Sequence, residues 1–330
     1  MIVNQPLAAW LADPAARAAT DSAMRSLAAG IARTPAVDAL RRGVGPAAGA
    51  GATAVLALAR AFIEDDAMIA AVMQAAIAAA AADPFCRPSL RATRNEVQDG
   101  LLLFSRPELV VQLAVIGADA LAIKRRSEAG RAPIAFTGQR SLFRFLKGGG
   151  ASLSIWTAPA IEAGFSAPAG GRCRLRERRR LADGEVLELD GRRESFLLEG
   201  AESDLVYLFA STPLEAGPVG TEYDGESLEL VAASSTDDAG SRTQMMLALL
   251  RSLGRSDAAP LFAEQLSAPH FHARWQAMRE MLALDAELAL PHLRALAASD
   301  PHAEVRAAAA ETLAAFFPDR PAIQESPCPA

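Results

Sequence analysis

An arginine that returns every 32 residues, at Arg242, Arg274 and Arg306, constrains this chain more than any other feature. Around it Ser241–Met246, Ala273–Met278 and Val305–Ala310 line up, and Leu249, Met281 and Leu313 each follow seven positions after their arginine. A period in this range marks stacked helical hairpins, because one hairpin cannot bury its apolar face alone and must lay it on a neighbour. Stacks of this kind present extended surfaces to partners, so the C-terminal part reads as a binding module.

The remaining 330-residue chain has room for two or three domains, and 51% hydrophobic residues are ample for packed cores. Thirty-three Lys and Arg against thirty-nine Asp and Glu leave a net charge of −6, which argues against nucleic acid as the main partner. Cys86, Cys173 and Cys328 form no Cys-x-x-Cys pair and are odd in number, as expected of a cytoplasmic chain. The opening residues carry neither a basic leader nor a continuous apolar run, so no secretory signal is expected. Ala67 to Ala82 is the most apolar stretch, but it is short and mostly alanine, and no membrane span is expected.

Residues 1–131 are alanine-rich and predict a helical domain. Leu7 to Ala12 breaks at Asp13-Pro14, Ala15 to Ala32 continues, and Pro35 starts a short helix to Arg42. Gly43 to Gly51 reads as a loop before a helix from Thr53 to Ile63. It lacks the Gly-Lys-Ser/Thr of a phosphate cradle, and Pro46 removes a donor, so a plain connector is expected. Glu108 to Arg126 is amphipathic, with a strand left open at its valine-rich start.

From residue 132 to 235 short apolar runs alternate with Gly-containing turns, which predicts one antiparallel β sandwich or barrel. The runs are Ile134–Phe136, Leu142–Leu146, Leu153–Trp156, Cys173–Leu181, Val186–Leu189, Ser195–Leu198, Leu205–Phe209 and Leu228–Ala232. Ala163-Gly164-Phe165 through Ala210, with its turn at Leu189-Asp190-Gly191 and the run Ser195 to Gly200, resembles the jelly-roll core of the cupin family. That resemblance implies a metal site built on His-x-His with a later Glu and His. This β region contains no histidine, so no metal ligand is carried over and no metal or other cofactor is expected.

Residues 236–318 return to helical signals. Ala289 to Leu296 and Ala303 to Ala309 pair across the turn Ser299-Asp300-Pro301-His302 and resemble HEAT repeats, in which Val-Arg-x-x-Ala follows an Asp-containing turn; Asp300, Val305, Arg306, Ala309 and Leu313 fit. Arg242 and Arg274 are the matching structural positions of the earlier, looser repeats. Residues 319–330, rich in proline, read as a flexible tail. The chain as a whole is thus expected to be a multidomain α+β protein.

Chemistry is harder to find. His270-Phe271-His272 has the spacing of a strand-type metal pair but sits in an expected inter-helix turn, and His270 and His302 are repeat equivalents. Arg172, Arg174, Arg176, Arg178 and Arg180 would share one face of a strand and could grip a small anionic ligand, or else pair with Glu185, Glu188, Asp190, Glu194 and Glu199 on neighbouring strands. Arg140, Arg144 and Lys147 surround Phe143 and Phe145 in a second basic patch. No Gly-x-Ser-x-Gly elbow occurs. The expectation is a non-catalytic cytoplasmic interaction or accessory protein with a protein partner. The alternative is a sensor of an anionic small molecule, or a metal-independent enzyme, using the β interior.

Overall fold

The computed structural model describes residues 5–86, 90–161 and 171–318. The chain divides into two compact units, Met1–Pro159 with Arg172–Ala216 and Gly220–Ala232, and Ala160–Gly171 with Gly217–Val219 and Ala233–Ala330. The start of the cupin-like stretch at Ala163-Gly164-Phe165 and the tail 319–330 lie outside the described residues.

The first unit opens with five helices, α1 (Gln5–Ala12), α2 (Pro14–Ala32), α3 (Pro35–Gly49), α4 (Ala52–Ile63) and α5 (Asp66–Ala82). Their ends follow local chemistry. Asp13 accepts from the amides of Ala15 and Ala16, with Pro14 preset for the first helical position, and Asp65 accepts from Met68. The glycine-rich segment departs from expectation, because α3 runs through it to Gly49 with Pro46 inside. The reason is tertiary. A Cβ on Gly43 would sit 3.0 Å from Leu58 Cδ2 on α4, and Val44 is buried in the same contact zone, so packing against α4 outweighs the low helix propensity of glycine and proline.

Strands β1 (Ala92–Arg94), β2 (Gln98–Arg106) and β3 (Leu109–Ile116) and helix α6 (Ala118–Glu128) follow. Then come β4 (Ile134–Phe136), β5 (Arg140–Lys147), β6 (Ser152–Thr157), β7 (Arg174–Arg180), β8 (Val186–Asp190), β9 (Glu194–Gly200), β10 (Leu205–Thr212), β11 (Val219–Tyr223) and β12 (Leu230–Ser235). They form a six-stranded sheet of order β1-β2-β3-β10-β5-β8 and two three-stranded sheets, β7-β6-β9 and β12-β11-β4. Pairing is antiparallel wherever register is defined, with Leu208 opposite Leu113 on one side and Arg144 on the other.

The six-stranded sheet is apolar on both faces. Leu109, Val111, Leu113, Leu142, Leu208 and Ala210 point into a core shared with Val55, Ala59 and Phe62 of α4, Leu40 of α3 and Met68 of α5. The alternate residues Ala114, Ile116, Phe145, Leu187, Leu189, Leu205 and Tyr207 meet Leu153, Ile155 and Leu198 of the β7-β6-β9 sheet. Helices, sheet and sheet are therefore layered, with the period-2 alternation of each strand feeding two cores. This corrects the expectation of an all-helical stretch to residue 131: three strands lie before it, and the helices share a core with strands after it. β3 falls on the valine-rich start of Glu108 to Arg126, where a strand is the alternative, and, buried on both faces, it shows a continuous apolar run instead of alternation.

The second unit contains α7 (Asp238–Ser252), a 3-10 turn (Ser256–Ala258), α8 (Ala259–Gln265), α9 (Phe271–Leu284), α10 (Ala286–Ser299) and α11 (Ala303–Phe316). Short turns make α8–α9 and α10–α11 antiparallel hairpins, and α9 packs on α7, α8 and α10 around Leu247, Phe262, Ala277, Met278, Met281, Leu293 and Val305.

The shared core generates a prediction. A chain beginning at residue 90 would leave the α4-facing side of the six-stranded sheet in water, so it is expected to bind the dye ANS strongly and to lose its cooperative transition in urea, followed by far-UV circular dichroism. A sharp transition without dye binding would show that the sheet folds alone.

Candidate functional site

The repeat arginines are placed alike but partnered differently. Arg274, in the first turn of α9, is buried and donates from Nε to Asp300 Oδ2 and from Nη2 to Asp300 Oδ1, both at 2.8 Å. Its Nη1 also donates to the carbonyls of Ala268 (2.9 Å) and Pro269 (3.1 Å), just beyond the end of α8. Arg306, one period later, donates from Nη1 to the carbonyl of Asp300 at 2.6 Å, just beyond the end of α10. Each arginine thus reaches back six residues to carbonyls that follow the first helix of its hairpin, where the helix dipole favours a cation. The bond from Arg306 falls on the Asp300 backbone, because the Asp300 carboxylate is already held by Arg274 and by the His302 amide at 2.8 Å. Arg242, in contrast, is exposed.

The Asp300 carboxylate staples one hairpin to the next. Burial alone would raise its pKa, but the Arg274 and His302 hydrogen bonds outweigh burial and hold it below the ordinary 3.8. His270 and His302 occupy the N-cap positions of α9 and α11 with nearly equal backbone angles, as the repeat requires. The His302 ring stacks on Phe271 with centroids 4.1 Å apart, and His270 stacks on His272 at 5.6 Å. Burial, then the neighbouring His270, pushes the His272 pKa below 6.5. Among the described residues, no three His, Cys, Asp or Glu side chains converge as metal ligands.

The block also carries an apolar groove of about 480 Å³ lined by Trp275, Arg279, Leu282, Thr312, Phe316 and Phe317. Phe316 is 76% exposed there, although it is a large apolar side chain.

The first unit offers less. Arg172 pairs with Glu229 at 2.6 Å, Arg178 with Glu199 at 2.8 Å, Arg176 with Glu194 and Arg180 with Glu202. Arg174 is exposed. The single shared face expected of these five does not form: between Ile155 and Trp156 the β6–β7 register shifts, so that Ile155 opposes Glu177 and Trp156 opposes Leu175, and alternation is broken at Arg176. The second basic patch is likewise engaged. Arg140 meets Glu188 and Thr53, Arg144 meets Asp66 and the Ile63 carbonyl, and Phe145 is fully buried. Phe143, Phe145, Phe196, Tyr207 and Phe209 cluster within the β region with ring centroids 4.8–6.2 Å apart in contacting pairs; Phe145 and Tyr207 are buried, and Phe143, Phe196 and Phe209 are half-buried.

Residues 228–314 match the family model for HEAT repeats. No curated protein sequence matches the chain. Among solved structures, similarity is found to ectoine synthase from P. lautus (13% identity, covering 37% of this chain and 68% of that one, TM-score 0.23) and the Schizosaccharomyces pombe Cnp3 cupin domain (9% identity, 38% and 65%, TM-score 0.23). Similarity also extends to the DMSP lyase DddQ from Ruegeria pomeroyi DSS-3 (10% identity, 43% and 62%, TM-score 0.25). The chain spans just under two thirds of the last two.

The staple sets the stability of the repeat block. Arg274→Ala strands a buried carboxylate and is expected to cost about 3–5 kcal/mol, whereas Arg306→Ala, losing a hydrogen bond from a charged group, should cost about 1–3 kcal/mol; urea denaturation separates them. The pH dependence follows in sign. Asp300 has a folded pKa below its unfolded 3.8, so its contribution is present above that value and is lost as pH falls through the folded pKa. His272, folded below 6.5, contributes stability that is full above 6.5 and declines as pH drops. Melting temperature measured from pH 7.5 to 3 should fall in two stages, the second smaller in Arg274→Ala, where the other carboxylates held below their ordinary range still contribute to it.

Proposed function

We propose that the chain is a protein-interaction or accessory protein whose repeat block holds a partner protein in the cytoplasm. The observation that carries this reading is apolar exposure in the segment that matches HEAT repeats, repeats that usually mediate protein interactions. Met245, Met246, Leu249 and Leu253 stand open on α7, and Phe316, just past the matched segment, stands open in an aromatic groove. Buried, unpaired Cys86 and Cys173 fit a reducing compartment. In this reading Arg172, Arg174, Arg176, Arg178 and Arg180 serve solvated surface, since four of the five already hold a glutamate in exposed pairs worth at most about 1 kcal/mol each.

The test is affinity capture with the tagged full chain from its native host, followed by mass spectrometry. A stoichiometric protein partner is expected with the unaltered chain, and it should be lost with Arg274→Ala, which loosens the repeat block. Recovery of no partner, or equal recovery by both chains, would overturn the reading.

A further inference from the structure

The repeat itself indicates what is missing beside α7. Arg242, Met245, Met246 and Leu249 are the 32-residue equivalents of Arg274, Ala277, Met278 and Met281. In α9 those positions are closed: Arg274 is 6% exposed, Ala277 and Met278 are fully buried, and Met281 is 2% exposed, in the core that holds Phe262 of α8 and Leu293 of α10. In α7 the same positions are open, with Met245 72%, Met246 58% and Leu249 50% exposed, and Leu253 one turn further at 63%. α7 turns a different side toward α9, through Leu247 and Leu250. The difference has a simple origin. α9 and α11 are each preceded by a hairpin partner, α8 and α10, whereas the element before α7 is strand β12.

We propose that the open face of α7 receives an amphipathic α-helix from a partner protein, laid antiparallel to α7 in the place that α8 takes beside α9 and α10 takes beside α11. The proposal rests on the interaction reading above and names its surface and the form of its partner. Three observations select a helix. The face is a stripe at three- and four-residue spacing, Arg242, Met245, Met246, Leu249 and Leu253, wide enough for the apolar side of one helix. Two of its residues are methionines, whose flexible side chains adapt to a partner's surface. Arg242 supplies the polar end: it is exposed and no described residue meets its guanidinium, while Arg274 and Arg306 in the same place bond carbonyls just past the end of the preceding helix. The partner helix would therefore end above Arg242, with its last carbonyls accepting from it.

Photo-cross-linking in the native host tests this. The full chain carries p-benzoylphenylalanine at position 245, at 253, or, for comparison, at 275 in the aromatic groove. Positions 245 and 253 are expected to react with the C-terminal and N-terminal halves of one segment of another protein, a segment with apolar residues at i, i+3, i+4 and i+7. Met246→Lys with Leu249→Lys should lower that yield at least tenfold, and Arg242→Ala several-fold, with the melting temperature unchanged because these side chains are exposed. Met278→Lys, the buried equivalent, should unfold the block. Cross-links from 275 alone would leave the interaction reading standing and overturn the α7 site; none from any position would overturn both. Cross-links from 245 to a second copy of this chain, to residues 1–235, to lipid, or to a segment without the helical pattern would overturn the proposed occupant.

Discussion

Burial of the six-stranded sheet on both faces is the constraint from which the first unit follows. Once β3, β5 and β10 carry apolar residues at odd and even positions alike, each face must be covered, and antiparallel strands alone cover only one by folding back as β7-β6-β9. The other face needs helices, and α3, α4 and α5 supply them through Leu40, Val55, Ala59, Phe62 and Met68. The alanine-rich composition suits that role, since small side chains let α4 approach the strands closely while Leu58 and Gly43 bring α3 in behind it. Polar groups on this side are tied down where they occur: Arg144, in the middle of β5, ends on the Ile63 carbonyl and Asp66 at the junction of α4 and α5.

The second unit is organised by a different device. Arg274 joins the turn after α8 to the turn after α10 through one buried, bidentate ion pair, so that two hairpins share a single polar node. Burial of such a pair gains little over an apolar contact, but it fixes one register, because only one rotation of neighbouring hairpins lets the guanidinium meet both carboxylate oxygens and two carbonyls. The stacking of His302 on Phe271 lies beside the same node.

These two constructions divide the chemistry available to the molecule. In the first unit Arg140, Arg144, Arg176, Arg178 and Arg180 each meet a carboxylate, and aromatic rings cluster within the β region. In the second, apolar side chains remain in water along α7 and beside Phe316, and it is this surplus that a binding partner would remove.

The sequence by itself carried the repeat, since the 32-residue return of arginine reflects a local bond to carbonyls six residues back, and it carried the β runs between Ile134 and Leu198, where turns punctuate every few residues. It carried the helix end at Asp13, and Asp65 and Asp237 cap their helices by the same local chemistry, since capping is settled within three residues. Only the tertiary structure decided the rest. That Asp300 belongs to Arg274 depends on two hairpins stacking, and Arg242 is open because the element before α7 is a strand and not a helical hairpin partner. The helical Gly43–Gly49 stretch depends on Leu58, fifteen positions after Gly43, and β1 to β3 are strands because they find partners and two apolar faces to fill. Local spacing encodes bonds made within a turn or two of the chain. Which surfaces those elements bury, and which they leave for another molecule, is fixed by contacts between residues far apart in sequence.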